Sequence, residues 1–200
     1  MKNITQCSPN KSAGFTIVEL MLTLVILSIV LGIGLPNFME FIKNNRLISQ
    51  INQTTSMLAF ARSEAAKRPN TTITLCGSSN TTDATPACNT SNWESGWIIF
   101  DDQDSDRVID ASDQLLQVGN PLAGGNTLRS SGFTNSGYVQ FDADGTPDSQ
   151  GTLTLCDDRG TSKAKAVIIS IAGQTRLASD QDGDDIVNNH SGSGSNVTCP

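Results

Sequence analysis

The sequence predicts an α+β protein in which a long N-terminal hydrophobic helix packs on a C-terminal β-rich head of two sheets. Three features lead there. From Phe15 to Leu35 the chain is apolar with a single charged side chain, Glu19, and a run of about 20 such residues is long enough to cross a bilayer as a helix. From Pro36 to Arg68 apolar residues recur at helical spacing. Beyond Pro69 short β-prone runs alternate with Gly, Asp, Asn and Ser, the texture of strands and turns. The resulting division is a leader over 1–14, a helix over 15–68 and a head over 69–200.

The start of the helix carries the first functional signal. A secretory signal has its small-residue cut site after the apolar stretch. Here the small residue, Gly14, precedes it, so a cut there removes only the hydrophilic leader and leaves the helix at the new N-terminus. That order, with Gly14 followed by Phe15, Glu19 as the fifth residue of the cut chain and Pro36 just past the apolar run, resembles the class III signal of type IV pilins and type II secretion pseudopilins. The resemblance implies cleavage between Gly14 and Phe15 by a membrane-bound prepilin peptidase, and N-methylation of Phe15. It further implies pairing of Glu19 with the terminal amine of a neighbouring subunit. Such a chain sits first in the bacterial inner membrane as a single pass with its head in the periplasm, and then in a fibre on the cell surface.

Physical chemistry agrees with a paired Glu19. An acid in the hydrocarbon region costs about 2.5–3.5 kcal/mol on insertion scales, so it calls for a partner. Snorkelling to the headgroups from near the helix end is the competing account. Pro36 removes a backbone donor and crowds the preceding turn, which predicts a kink or local melting around Gly32, Gly34 and Pro36. Past it, Phe38, Phe41, Ile48, Ile51, Leu58 and Ala65 form the predicted apolar face, and Pro69 stops the helix. At 1.5 Å per residue the whole helix has a length of about 80 Å.

In the head the expected strands are Thr72 to Cys76, Trp97 to Phe100, Gln114 to Val118, Tyr138 to Phe141, Thr152 to Cys156, Ala166 to Ile171 and Thr175 to Leu177. Cys7 lies in the leader, and Cys76, Cys88, Cys156 and Cys199 in the head. An even count in an exported domain argues for two disulfides. Of the three possible pairings, Cys76 with Cys88 and Cys156 with Cys199 encloses the simplest loops. None of the four has metal-site spacing.

The stretch Asn92-Trp93-Glu94-Ser95-Gly96-Trp97-Ile98-Ile99-Phe100-Asp101 narrows the family. It resembles the Trp-x-x-Gly-Trp strand of GspH/FimT-type minor pilins and pseudopilins, with Leu115-Leu116 matching a following strand and Arg62-Ser63-Glu64-Ala65 the helix end. The resemblance points to a low-copy subunit whose partners are other pilins. Some such relatives take up DNA through a C-terminal Gly-Arg-x-Arg motif; the matching stretch here is Gly173-Gln174-Thr175-Arg176, without the first arginine. Lys163, Lys165 and Arg176 are the remaining candidate phosphate contacts if they share a face. From Pro69 on, however, six basic side chains face seventeen acidic ones, a net of −11, which repels nucleic acid at long range. DNA is therefore not expected as a partner.

Asp102, Asp104, Asp106, Asp110 and Asp113 fall at positions 1, 3, 5, 9 and 12 of a spacing similar to a calcium loop. Arg107 stands at the sixth position, where such loops use glycine, and the flanks are strands, so a solvated acidic hairpin is expected and no metal. The Asp142–Gly145 and Asp180–Asp185 stretches are likewise expected to be polar turns. The one histidine, His190, lies in a Ser/Gly-rich tail without a nucleophile motif near it, and no phosphate-cradling loop is present. Neither a catalytic role nor a cofactor is expected.

Overall fold

The computed structural model describes residues 14–200; the leader residues before Gly14, Cys7 among them, lie outside the described residues. Helix α1 spans Ile17–Ala65. Two compact units divide the chain, the first ending at Ile42 and the second running from Lys43 to Pro200, and α1 contributes to both.

In the first unit α1 runs unbroken through Pro36, so the predicted local melting does not occur. A proline in a helix costs about 3 kcal/mol, whereas opening the turns around it would leave further backbone groups unpaired, each costing several kcal/mol in an apolar medium. The Asn37 side-chain amide also donates to the Ile33 carbonyl at 2.9 Å within the same stretch. The helix ends three residues before the predicted Arg68, its last turn tightening as the amides of Lys67 and Arg68 donate to the carbonyls of Glu64 and Ala65.

The second unit builds two antiparallel sheets on the C-terminal half of α1. One contains β1 (Thr72–Gly77), β2 (Trp97–Asp102), β3 (Gln114–Gly119) and β5 (Tyr138–Phe141) in the order β3-β2-β1-β5. The other contains β4 (Thr127–Ser131), β6 (Gly151–Cys156), β7 (Lys165–Ile169) and β8 (Thr175–Leu177) in the order β4-β6-β7-β8. Seven of the eight strands fall where the sequence predicts them; β4 does not, because Leu128 is its one apolar side chain. The buried face of α1 comprises Leu47, Gln50, Ile51, Thr54, Met57, Leu58, Ala61 and Ala65. Of the predicted face, Ile51, Leu58 and Ala65 belong to it, whereas Ile48 is 49% exposed and polar Gln50 lies inside. Gln50 is accommodated because its amide donates to the Ala123 carbonyl at 2.9 Å and its oxygen accepts from Asn126 at 2.6 Å, leaving no polar atom of that side chain unsatisfied.

One core joins α1 to both sheets, with Ile73, Leu75, Ile99 and Phe141 from the first and Leu128, Leu153, Leu155 and Val167 from the second. Each side chain of this size contributes roughly 1.5–3 kcal/mol on burial. Strand alternation sends the neighbouring residues outward, and a smaller core covers each outer face. Cys76, Ile98 and Phe100 pack there with Cys88, Ile109 and Tyr138; Cys156, Ala164 and Ala166 pack with Val197 and Cys199. The disulfides Cys76–Cys88 and Cys156–Cys199 close within these two cores, the pairing that the simplest loops predict. His190 completes the second closure. Its ring meets the Thr152 hydroxyl at 3.0 Å, and it lies so close to Gly132 that a Cβ there would sit 2.0 Å from the ring.

Both tryptophans are buried. Trp93 opens a short 3₁₀ turn, Trp93–Ser95, and its indole donates to the Ser136 carbonyl at 3.0 Å. Trp97 opens β2 with its ring lying on Gly119, where a Cβ would come within 1.9 Å of the ring. Between them Glu94 pairs with Arg129 and accepts from the Leu128 amide, tying the Trp-Gly-Trp segment to β4 and so one sheet to the other.

At the other end of the helix, Glu64 pairs with Lys67 and Arg68, and Arg68 reaches Asp101 of β2 at 3.1 Å. Hydrogen bonds from Lys67 and then Arg68 hold the Glu64 carboxyl below the usual range. A carboxyl held low adds stability that is fully present above the unfolded value of about 4.3 and is lost as pH falls through the lower folded value. Between about pH 5 and pH 3 the wild-type chain in detergent micelles should lose more unfolding stability than Glu64→Gln, measured by urea titration; parallel losses would contradict the role of this cluster. Gly119→Ala should displace the Trp97 ring and lower stability by about 1–3 kcal/mol, read from the urea midpoint and the tryptophan fluorescence. An unchanged midpoint and spectrum would show that the ring does not depend on this glycine.

Candidate functional site

The candidate functional surface of the first unit is the start of α1. Gly14 and Phe15 are exposed ahead of the helix, Phe15 by 82%. Thr16 caps it: its hydroxyl oxygen accepts from the Glu19 amide at 3.2 Å, and the Leu20 amide donates to the Thr16 carbonyl at 3.1 Å. The Thr16-Ile17-Val18-Glu19 order is a capping-box sequence, with the threonine at the N-cap and the acid three residues on. Sequence reasoning missed Thr16, although a Thr followed by an acid at that spacing is the signal that reveals it. Glu19 thus lies in the first turn, where the partial positive charge of the free amides favours an anion.

The remaining polar side chains of the span turn back on the helix. Thr23 donates to the Leu20 carbonyl at 2.8 Å and Ser28 to the Val25 carbonyl at 2.7 Å, so neither presents an unsatisfied group to lipid. Glu19 differs. It is exposed, and its carboxylate makes no hydrogen bond or ion pair with the described residues. Around it every large apolar side chain from Ile17 to Phe41 is exposed, and α1 is long and apolar enough to cross a membrane. The arrangement is an unpartnered apolar surface bearing one unpartnered acid.

The candidate phosphate contacts do not assemble. Lys163 and Lys165 line a shallow groove with Asn44, Leu47 and Ile48 of α1. Arg176 is opposite Ile168 in the β7–β8 register, hence on the other face of the sheet from Lys165. The face that the sequence allows for the three cations therefore does not form. The turn holding Gly173 and Gln174 is occupied instead by Arg62, which donates to the Gly145 carbonyl and to the Ala172 carbonyl, both at 3.0 Å.

The acidic hairpin between β2 and β3 is ordered by its own side chains. Asp113 accepts from the Gln103 and Asp110 amides, each at 3.0 Å. Asp110 accepts from the Ser112 hydroxyl and amide at 2.7 Å, which hold its carboxyl low. Asp102 is buried, whereas Asp104 and Asp106 are exposed. Partial desolvation, together with the nearby charges of Asp106, Asp110 and Asp102, pushes the Asp104 carboxyl up.

Comparisons with known proteins place these features. The prokaryotic N-terminal methylation motif matches residues 9–35, and the family described as Type II transport protein GspH matches residues 50–173. Among solved structures, the chain is similar to the type IV minor pilin FimU of Pseudomonas aeruginosa strain PAO1. A crystal form in space group P21 aligns with a TM-score of 0.53 at 22% identity, over 70% of this chain and 92% of that one. A second, in P65, gives 0.51 at 21% identity over 66% and 93%. At this identity the likeness is one of fold. A sequence comparison with curated proteins finds no match. With the methylation motif at its start and the GspH match over more than half of its length, the chain belongs to the GspH family of type IV pilin-like proteins.

Proposed function

We propose that the protein is a minor pilin of a type IV pilus, which primes assembly or sits at or near the pilus tip and joins other pilins through its helix. The observation that carries this reading is Glu19, an acid with no partner among the described residues, in an exposed apolar stretch where Thr16, Thr23 and Ser28 are each satisfied by the helix backbone. Cleavage after Gly14 by a prepilin peptidase frees the amine of Phe15, which becomes methylated and supplies a positive charge at nearly the same depth as Glu19 of an adjacent subunit. Before assembly the helix rests in the inner membrane with the head in the periplasm. The fold shared with a minor pilin and the Trp-Gly-Trp segment support a low-copy role.

A second reading, a minor pseudopilin of a type II secretion system, draws on the description of the matched family. The same helix chemistry serves both, and deletion of the gene separates them by loss of surface pili or loss of secretion. DNA uptake lacks comparable support, since Gln174 replaces the motif arginine and Arg176 and Lys165 lie on opposite faces.

Glu19→Ala should leave the head folded, with both disulfides formed, while lowering incorporation into filaments tenfold or more, the equivalent of about 1.4 kcal/mol. Immunoblotting of sheared pili against membrane-bound protein measures this. Incorporation at the wild-type level would remove the pairing from the account and favour snorkelling.

A further inference from the structure

At the start of the acidic hairpin one buried carboxylate oxygen has no donor among the described residues. Asp102 is fully buried. Its Oδ2 accepts from the Thr74 hydroxyl at 2.7 Å, the Gln140 amide at 3.0 Å and the Arg107 backbone amide at 3.0 Å. Its Oδ1 is shielded from solvent and meets no donor among the described residues. A buried acceptor without a partner costs free energy, and more so when it belongs to a charged group.

Asp102 brings a carboxylate oxygen to a set in which one oxygen each from Asp102, Asp104 and Asp106 lie within 4.8 Å of one another. Arg107, within the same hairpin, has its guanidinium committed elsewhere: it lies over the Tyr138 ring at 4.3 Å and donates to the Gln140 side-chain oxygen at 3.0 Å. Asp101, whose Oδ1 is also buried without a donor, differs in having Arg68 beside it. The sixth-position objection also falls away, because Arg107 adopts φ +69°, the left-handed conformation for which such loops use glycine.

We propose that Asp102, Asp104 and Asp106 bind one calcium ion, with Asp102 Oδ1 as the inner ligand and the two exposed carboxylates closing over it. Calcium suits the set better than magnesium, since it takes six to eight oxygens in flexible geometry and accepts water alongside loop carboxylates. The ion neutralises a group of like charges and satisfies the buried oxygen, fixing the hairpin at the edge of the first sheet. Asp180, Asp182 and Asp184 also converge, but all three are exposed and Asp180 accepts from the amides of Asp182, Gly183 and Asp185, so no buried oxygen there calls for an ion.

The test is calorimetric titration of the full chain in detergent micelles with calcium chloride. One ion should bind with a Kd on the order of 10⁻⁴–10⁻³ M, the range of extracellular sites. Asp104→Asn and Asp106→Asn, which keep an acceptor oxygen for the Asp106 and Val108 amides that these side chains bind, should each weaken binding tenfold or more, and Asp182→Asn should leave it unchanged. No saturable heat up to about 10 mM calcium, well above that range, would overturn the proposal. So would binding that survives both loop variants or disappears with Asp182→Asn.

Discussion

Burial of one face of α1, from Leu47 to Ala65, between the inner faces of two sheets is the interaction on which the rest of the head depends. Neither sheet packs its apolar face without it: the side chains that meet in the core come from both sheets and from the helix together. A single helix therefore meets two solvents. Its residues from Lys43 to Ala65 satisfy the ordinary demands of a globular core, with the buried polar side chains Gln50 and Thr54 both bonded. Residues before that point present apolar side chains all round, the composition of a helix designed for lipid or for other helices.

The second constraint is electrostatic and follows from the first. A helix committed to apolar surroundings has no water to stabilise polar atoms, and Thr16, Thr23 and Ser28 each find a partner on the helix backbone. Between Phe15 and Leu35 Glu19 is left as the one charge, in the first turn where free backbone amides already favour an anion. In the proposed assembly its position at the start of the span couples it to processing, because a cut after Gly14 would place a new amine only a few residues away. The head from Pro69 on carries a net charge of −11, a field of the same sign as nucleic acid.

Much of this was legible in the sequence, for physical reasons that differ by segment. The apolar run and the alternating strands carry periodic signals tied directly to burial, and the disulfide pairing followed from loop size. What escaped reading depends on distant partners. Strand β4 is polar by sequence and exists because β6 offers it a ladder and Glu94 an ion pair for Arg129. Ile48 fell off the buried face and Gln50 onto it because residues 123–126, far away in sequence, supply the amide's partners. The helix held at Pro36 where local propensity favours melting, and Lys165 and Arg176 were separated by sheet register, which no spacing rule reveals. At the candidate site, Gly14, Phe15 and Glu19 were singled out through a resemblance to the pilin signal, whose motif is contiguous in sequence. Thr16 was overlooked, and the unsatisfied oxygen of Asp102 becomes visible only in three dimensions.

The central claim is that the apolar start of α1 becomes a packing surface whose acid faces a newly made terminal amine. Mass spectrometry of the N-terminal peptide of this chain, recovered from purified surface filaments, tests it most directly. The account predicts a peptide beginning at Phe15 and carrying an N-methyl group. A chain recovered from filaments with its leader still attached would contradict it, since no amine would then lie beside Glu19.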